Sequence, residues 1–194
     1  KPERLMALHL NFIVGFPPDP ANPLAGLDEA ERARVAWKAD YDLHEHGYRI
    51  IQSTKPQSLA YGMTDSPAGL AAWVVEKFKT WSDCGDDVES AFSKDQLLEN
   101  IMLYWVTGTI NSAMRLYYEG GPGRENAGLI ANITVPTGHA FFPSDIFFFN
   151  DTATTEIYTN IVRWTEMPKG GHFAAFEQPT AFVEELREFA RAFR

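Results

Sequence analysis

The spacing of hydrophobic positions changes twice along the chain. Residues 5–12 form a short, almost continuous apolar run, which predicts a buried strand. Between residues 28 and 119 the apolar side chains recur three or four positions apart, which predicts a block of amphipathic helices. From residue 131 strand-like spacing returns, at 133–137 and 161–164, and a final amphipathic helix then carries Phe182, Leu186 and Phe189.

Local signals place boundaries within the helical block. Ser66 followed by Pro67 supplies an N-cap and a first helical residue. Ser93 with Gln96 three positions later forms a capping-box pattern ahead of another apolar repeat. Residues 48–52, in contrast, are predicted to be extended.

This order of elements predicts the fold class. A strand, a block of helices, and then strands with a closing helix are typical of an α/β fold whose parallel sheet is interrupted by a helical insertion. We expect three segments: a core strand in residues 1–18, a mainly helical cap region in residues 19–128, and the C-terminal part of the sheet core in residues 129–194.

Charge and length narrow the function classes. The 194 residues can bury one sizeable core, and the aromatic content of 13% suits a protein that encloses an apolar pocket. A net charge of −9 without Lys or Arg clusters argues against nucleic acid as a partner. No apolar run approaches the roughly 20 residues that span a bilayer, and residues 1–10 lack the layout of a signal peptide.

The cysteine content bears on disulfides, metal binding and cellular location. Cys84 is the only cysteine, so an internal disulfide is excluded. No Cys/His cluster at zinc spacing and no acidic calcium loop occurs, so we expect neither a metal nor a cofactor. A cytoplasmic location fits best. The chain opens on Lys1 without an initiator Met, so any upstream anchor is invisible, and membrane association and a homo-oligomer both remain open.

Two residues near the end of the chain suggest catalysis. His172 stands on the glycine-rich loop that follows the strand predicted at 161–164, and Asp145 follows the preceding strand-like segment. In α/β-hydrolases the acid and the histidine of the triad follow in this order, on successive strand ends. The alternatives are an exposed loop histidine and an aspartate that only caps a turn.

Several longer segments carry a resemblance to a known family. They resemble, in order, the microsomal-type epoxide hydrolases of the α/β-hydrolase superfamily, at residues 47–57 (GYRIIQSTKPQ), 65–73 (DSPAGLAAW), 99–105 (ENIMLYW), 135–138 (VPTG) and 170–177 (GGHFAAFE). The resemblance covers nearly the whole chain apart from residues 147–159. It implies the C-terminal half of an α/β-hydrolase fold with a helical cap insertion.

The resemblance also implies a mechanism and two further site residues. An aspartate opens the epoxide to an alkyl-enzyme ester, and a water activated by histidine hydrolyses the ester to a diol. The two cap tyrosines that hydrogen-bond the epoxide oxygen correspond to Tyr48 and Tyr117, with Tyr118 as the neighbour that could be mistaken for Tyr117. Without the resemblance, both tyrosines would be interpreted as core aromatics.

The family's nucleophile is not found in this sequence. No Gly-x-Asp-x-Gly or Gly-x-Ser-x-Gly elbow occurs, and the segment His46-Gly47-Tyr48-Arg49 lacks the proline of the family's His-Gly-x-Pro motif. We therefore expect the nucleophilic aspartate upstream of residue 1, and we expect the chain to be inactive by itself.

One segment looks foreign to the family. Residues 150–159 (NDTATTEIYT) resemble the in-frame translation of a sequencing-adapter oligonucleotide and follow an unusual run of three phenylalanines at 147–149. The retained spacing between Asp145 and His172 indicates that native residues were replaced. The alternative is a natural threonine-rich surface loop.

The sequence thus predicts an epoxide hydrolase that acts on small apolar epoxides with water. Two rivals remain: another α/β-hydrolase, such as an esterase or a haloalkane dehalogenase, and a non-catalytic fragment that keeps the pocket without the chemistry.

Overall fold

The structure is a computed structural model that describes residues 2–12, 22, 24–120, 133–146 and 158–194. The segment boundaries predicted after residues 18 and 128 lie outside these ranges. So does the adapter-like segment, except for its last two residues. Of these, Tyr158 forms an isolated parallel bridge with Ile133, and Thr159 donates its backbone N–H to the carbonyl of Ile133 at 3.1 Å.

Two compact units make up the chain. The sheet unit comprises Lys1–Ala39, Trp81–Asp83 and Ile130–Arg194, and the helical unit comprises Asp40–Thr80 and Cys84–Leu129. The described helices are α1 (Glu29–Glu45), α2 (Gly47–Thr54), α3 (Pro56–Asp65), α4 (Pro67–Trp81), α5 (Lys94–Thr107), α6 (Ile110–Glu119), α7 (Ala174–Glu177) and α8 (Pro179–Arg191). Within the described ranges, no helix is long and apolar enough to cross a membrane.

The sheet unit contains three parallel strands in sequence order. These strands are β1 (Leu8–Leu10), β2 (Thr137–Phe141) and β3 (Ile161–Glu166), with β2 between the other two. The prediction of a parallel sheet is therefore confirmed. Ala140 and Phe142 are fully buried and pack with Ala174 in the core of this unit.

The strand predicted at 133–137 has the wrong bounds, because β2 begins at Thr137 and lies later in the chain. Gly138 lies inside β2 at a point where α8 packs closely onto the strand: a Cβ at this position would stand 2.7 Å from Cδ2 of Phe189. A glycine inside a strand often marks such a close approach, but sequence spacing alone does not reveal what approaches.

The helical unit has its own apolar core, formed by Ala60, Met63, Leu70, Ile101, Ile110 and Met114. Both boundary signals are confirmed. The Ser66 hydroxyl accepts the backbone N–H of Gly69 at 3.0 Å, and Ser93 and Gln96 form a reciprocal capping box.

The extended segment predicted at 48–52 is wrong, because α2 covers it. Tyr48 and Gln52, one helical turn apart, are the buried residues of α2, whereas Ile50 and Ile51 point to solvent. Packing of this face against α6 sets the local structure, as tertiary contacts commonly override local preference.

Buried polar groups line both faces of the sheet. On one face, Glu185 of α8 accepts two hydrogen bonds from Arg163, at 2.6 and 2.7 Å, and one from Thr165 at 3.0 Å. The ring of His9 reaches the same carboxylate at 3.5 Å. On β2, the ring of His139 packs on Trp164 with centroids 4.4 Å apart, and its Nδ1 has no hydrogen-bond partner among the described residues.

Two histidines make the stability of the sheet unit depend on pH. Burial lowers the pKa of His139 from 6.5 to about 4, with a smaller contribution from His9. Burial also lowers the pKa of His9, although Glu185 opposes the shift. Both side chains are therefore neutral in the folded protein and bind protons more readily when it unfolds.

We predict that the free energy of unfolding falls as the pH drops from about 6.5 towards 4, by up to about 3 kcal/mol for His139. Urea unfolding at a series of pH values measures this. His139→Phe should reduce the slope between about pH 6.5 and pH 4, whereas His44→Gln, at an exposed histidine of α1, should leave it unchanged. A wild-type stability that stays constant on acidification would contradict this assignment.

Candidate active site

One edge of the sheet brings Asp145 and His172 together. Asp145 follows β2 and His172 follows β3, and neighbouring parallel strands end at the same edge. Nδ1 of the imidazole lies 3.0 Å from Oδ1 of the carboxylate. The Asp145 side chain is only 4% exposed and that of His172 is 23% exposed, so the carboxylate is buried behind a ring that solvent can reach.

A tight turn holds Asp145 in place. Its backbone N–H donates to the carbonyl of Phe142 at 3.1 Å, and Phe142 is fully buried. The N–H of Ser144 donates to the carbonyl of Gly170 at 3.0 Å, which ties the turn to the loop of the histidine. The position of the acid therefore depends on the same loop that carries the base.

Two glycines allow the histidine loop to pack closely. Gly170 has a φ of 114°, a backbone conformation that favours glycine, and a Cβ there would lie 2.7 Å from Cδ1 of Phe142. A Cβ on Gly171 would lie 2.6 Å from the carbonyl oxygen of Trp81. The same oxygen accepts the backbone N–H of His172 at 2.8 Å, so any side chain at 171 would disturb that hydrogen bond.

Aromatic rings surround the imidazole. The rings of Trp81, Phe173 and Phe12 lie edge to face with that of His172, at centroid distances of 5.2, 5.3 and 5.6 Å. Apolar walls lower the local dielectric constant, which strengthens the interaction between the imidazole and the buried carboxylate. This arrangement suits a base whose protonated form is stabilised by Asp145.

Two further carboxylates in the sheet unit were not found by the sequence reasoning. Glu177 accepts three backbone N–H groups, from Asp83 at 2.8 Å and from Gly171 and Phe173 at 2.9 Å each. Asp83 accepts the N–H of Gly170 at 3.0 Å. Burial raises the pKa of Glu177, and the three hydrogen bonds only partly oppose this. Glu177 does stand in the motif of 170–177, but nothing in the sequence indicates its partners.

The two predicted tyrosines meet in the helical unit. Tyr48 of α2 and Tyr117 of α6 have ring centroids 5.8 Å apart. Tyr48 is buried, and Lys77 lies over its ring with Nζ 5.0 Å from the centroid. Burial, with a smaller contribution from Tyr117, raises the pKa of Tyr48, so its phenol stays protonated at neutral pH. Tyr118 instead lines a separate cleft of the same unit, together with Tyr61.

Within the residues that the structure describes, no group of three or more His, Cys, Asp or Glu side chains could hold a metal ion. The contact of His172 with Asp145 suits proton transfer, and the neighbouring phenols of Tyr48 and Tyr117 suit hydrogen-bond donation.

Relatives can be recognised from the sequence, although no protein-family model matches the chain. A protein of Stigmatella aurantiaca (strain DW4/3-1) that carries an epoxide hydrolase assignment is 39% identical over 194 residues, which are 100% of this chain and 43% of that protein. Epoxide hydrolase 1 of Sus scrofa is 43% identical over 155 residues, which are 76% of this chain and 34% of that protein. The chain thus spans less than half the length of either relative.

Solved structures agree with these matches. The juvenile hormone epoxide hydrolase of the silkworm Bombyx mori has a TM-score of 0.86 at 31% identity, covering 98% of this chain and 49% of the other. The Aspergillus niger epoxide hydrolase has a TM-score of 0.81 at 26% identity, covering 99% of this chain and 47% of the other. The predicted fold, an α/β-hydrolase with a helical insertion, is confirmed, and the chain belongs to the microsomal-type epoxide hydrolases of that superfamily.

Proposed function

We propose that this chain is the part of an epoxide hydrolase that activates water and binds the epoxide oxygen. The observation that carries the proposal is the 3.0 Å contact between His172 and the buried Asp145, in a chain whose relatives are epoxide hydrolases. The substrate is a small apolar epoxide. The nucleophilic aspartate comes from a region of the protein outside this chain.

The first step forms an ester. The aspartate attacks an epoxide carbon, so that a bond from the carboxylate oxygen to this carbon forms and the carbon–oxygen bond of the ring breaks. The released oxygen becomes an alkoxide and takes a proton from a tyrosine. Tyr48 suits this role because burial keeps its phenol protonated at neutral pH, so that it can donate to a developing negative charge, and the ring of Tyr117 lies beside it at 5.8 Å.

The second step consumes water. An ionised carboxylate can only accept hydrogen bonds, so Asp145 keeps the proton of the imidazole on Nδ1 and leaves Nε2 as the basic nitrogen. His172 takes a proton from water, and the resulting hydroxide attacks the carbonyl carbon of the ester. The tetrahedral intermediate collapses, the diol leaves, and the aspartate is restored. The proton that His172 took from water returns through solvent to the tyrosinate left by the first step, so that both side chains regain their starting forms. Asp145 stabilises the imidazolium that forms meanwhile.

The His–Asp pair alone does not distinguish an epoxide hydrolase from other α/β-hydrolases. Esterases combine such a pair with a serine nucleophile, and haloalkane dehalogenases combine it with a halide leaving group. The adjacent Tyr48 and Tyr117 favour epoxide opening, because the released oxygen stays on the substrate and needs a proton donor. The names of the relatives agree with this choice.

We predict that His172→Gln traps the ester. In the full-length protein from the source gene, this variant should lose roughly 10²- to 10⁴-fold in turnover of an aryl-substituted epoxide, because the general base is removed. Mass spectrometry of the intact protein should show an increase by the mass of one epoxide molecule.

His44→Gln provides the matched control and should turn over normally, because His44 is exposed on α1. Active wild type with no adduct in His172→Gln would overturn the two-step mechanism. Acylation of a serine by ester substrates would favour an esterase. A wild-type protein that binds epoxides without any turnover would favour the non-catalytic alternative.

We predict that Tyr48→Phe and Tyr117→Phe each slow ester formation, on the order of 10²-fold, because each removes one donor to the developing alkoxide. Rapid-mixing measurements of the first turnover separate this step from ester hydrolysis. Tyr118→Phe tests the assignment on α6 and should leave the rate unchanged, since Tyr118 lines a different cleft. Equal rates for Tyr117→Phe and wild type, with a slow Tyr118→Phe, would reverse that assignment.

A further inference from the structure

We propose that Glu177 is a positioning residue, which aims the imidazole of His172 at Asp145 by binding the backbone amides on both sides of the histidine. The proposal rests on the proposed function insofar as His172 is the base of ester hydrolysis. The placement of the ring can nevertheless be measured without any turnover.

Every backbone N–H from Gly170 to Phe173 has an acceptor. Gly170 donates to the carboxylate of Asp83 at 3.0 Å, and Gly171 donates to Oε2 of Glu177 at 2.9 Å. His172 donates to the carbonyl of Trp81 at 2.8 Å. Phe173 donates to Oε1 of Glu177 at 2.9 Å. The four acceptors come from residues 81–83 and from Glu177, so the histidine loop is held along its whole length.

Glu177 joins two segments that are distant in the sequence. Its Oε2 accepts both the N–H of Gly171 and the N–H of Asp83, which lies 94 residues away along the chain. The carboxylate therefore fixes the histidine loop to the segment 81–83, whose Trp81 provides a ring against the imidazole at 5.2 Å. The side chain of Glu177 thus holds the backbone on both sides of His172 and also holds the segment whose Trp81 ring packs against the imidazole.

Only an ionised carboxylate fits this set of partners. Both oxygens of Glu177 accept N–H groups, three in all. Glutamine has a single acceptor oxygen, and its NH₂ group would face a backbone N–H, so at least one of the three bonds must break. Asp83 differs because it accepts the N–H of Gly170 through one oxygen, and the amide oxygen of asparagine can replace that contact.

Small movements of the base are expected to matter for the reaction. Displacing a catalytic group by about 1 Å can cost on the order of 10²-fold in rate. A purely structural carboxylate would change the stability of the protein but would leave the imidazole of His172 in its orientation. The two roles therefore differ in what happens to the contact between Nδ1 and Asp145.

The test compares Glu177→Gln with two control variants, all made in the full-length protein and labelled with ¹⁵N-histidine. Asp83→Asn removes a negative charge from the same cluster but keeps an acceptor, and so controls for electrostatics. Glu184→Gln removes an exposed carboxylate from α8. The observables are the Nδ1–H resonance of His172 and the pH at which its ring titrates. Asp83, Asp145 and Glu177 are the carboxylates that hydrogen-bond the ring of His172 or the backbone of its loop.

We expect Glu177→Gln to broaden or abolish the Nδ1–H resonance and to move the ring titration further than Asp83→Asn does. In the full-length protein, the same variant should lower kcat for ester hydrolysis on the order of 10²-fold with little change in KM. If Glu177→Gln fails to fold, Glu177→Asp serves instead, since it keeps the charge but shortens the reach, and it should show the same changes in weaker form.

Unchanged His172 resonances in folded Glu177→Gln, or changes equal to those of Asp83→Asn, would overturn the proposal. These outcomes are separable from a failure of the proposed function. A full-length protein without epoxide turnover whose His172 resonance still depends on Glu177 would refute the function and leave the positioning role intact.

Discussion

The parallel pairing of β2 with β3 is the interaction on which the candidate site depends. The ladder runs to Phe141 opposite Glu166 and continues by one hydrogen bond, from the N–H of Met167 to the carbonyl of Phe141. Beyond this hydrogen bond the segments that follow β2 and β3 leave the sheet at the same edge. Asp145 therefore lies within hydrogen-bond distance of His172, although the two residues are 27 positions apart in the sequence. An antiparallel pairing would send the two chain ends to opposite edges.

Chain order and local signals allowed part of this arrangement to be predicted. The His–Asp pair followed from two strand-like segments, each with a polar residue after it, and the caps at Ser66 and Ser93 followed from short-range chemistry. The bounds of β2 could not be predicted, because Gly138 interrupts the apolar pattern and the sequence does not show that Phe189 packs onto it. The conformation of α2 depended likewise on packing against α6.

The residues that the sequence reasoning missed share one property. Asp83 and Glu177 act on backbone amides, and the identity of a residue says nothing about which amides lie near it. Residue type suggested a role for His172 because an imidazole can exchange a proton near neutral pH, whereas carboxylates are common on protein surfaces. For Tyr48 and Tyr117, the sequence suggested a role only through the resemblance to the family. Their ring contact, with centroids 5.8 Å apart, became visible only in the structure.

Two glutamates of the sheet unit, the buried Glu185 and the partly buried Glu177, show how hydrogen-bond partners determine the properties of a carboxylate. For Glu185, hydrogen bonds from Arg163 and Thr165 lower the pKa despite the opposing effect of burial, and the ion pair fastens α8 to the sheet. Glu177 is bound by neutral amides alone among the described contacts, and burial raises its pKa. A guanidinium beside the histidine loop would disfavour the imidazolium that forms when His172 takes a proton. Amide donors hold the loop without adding a positive charge, so the arrangement around Glu177 fixes the base while leaving the electrostatic field favourable to its protonation.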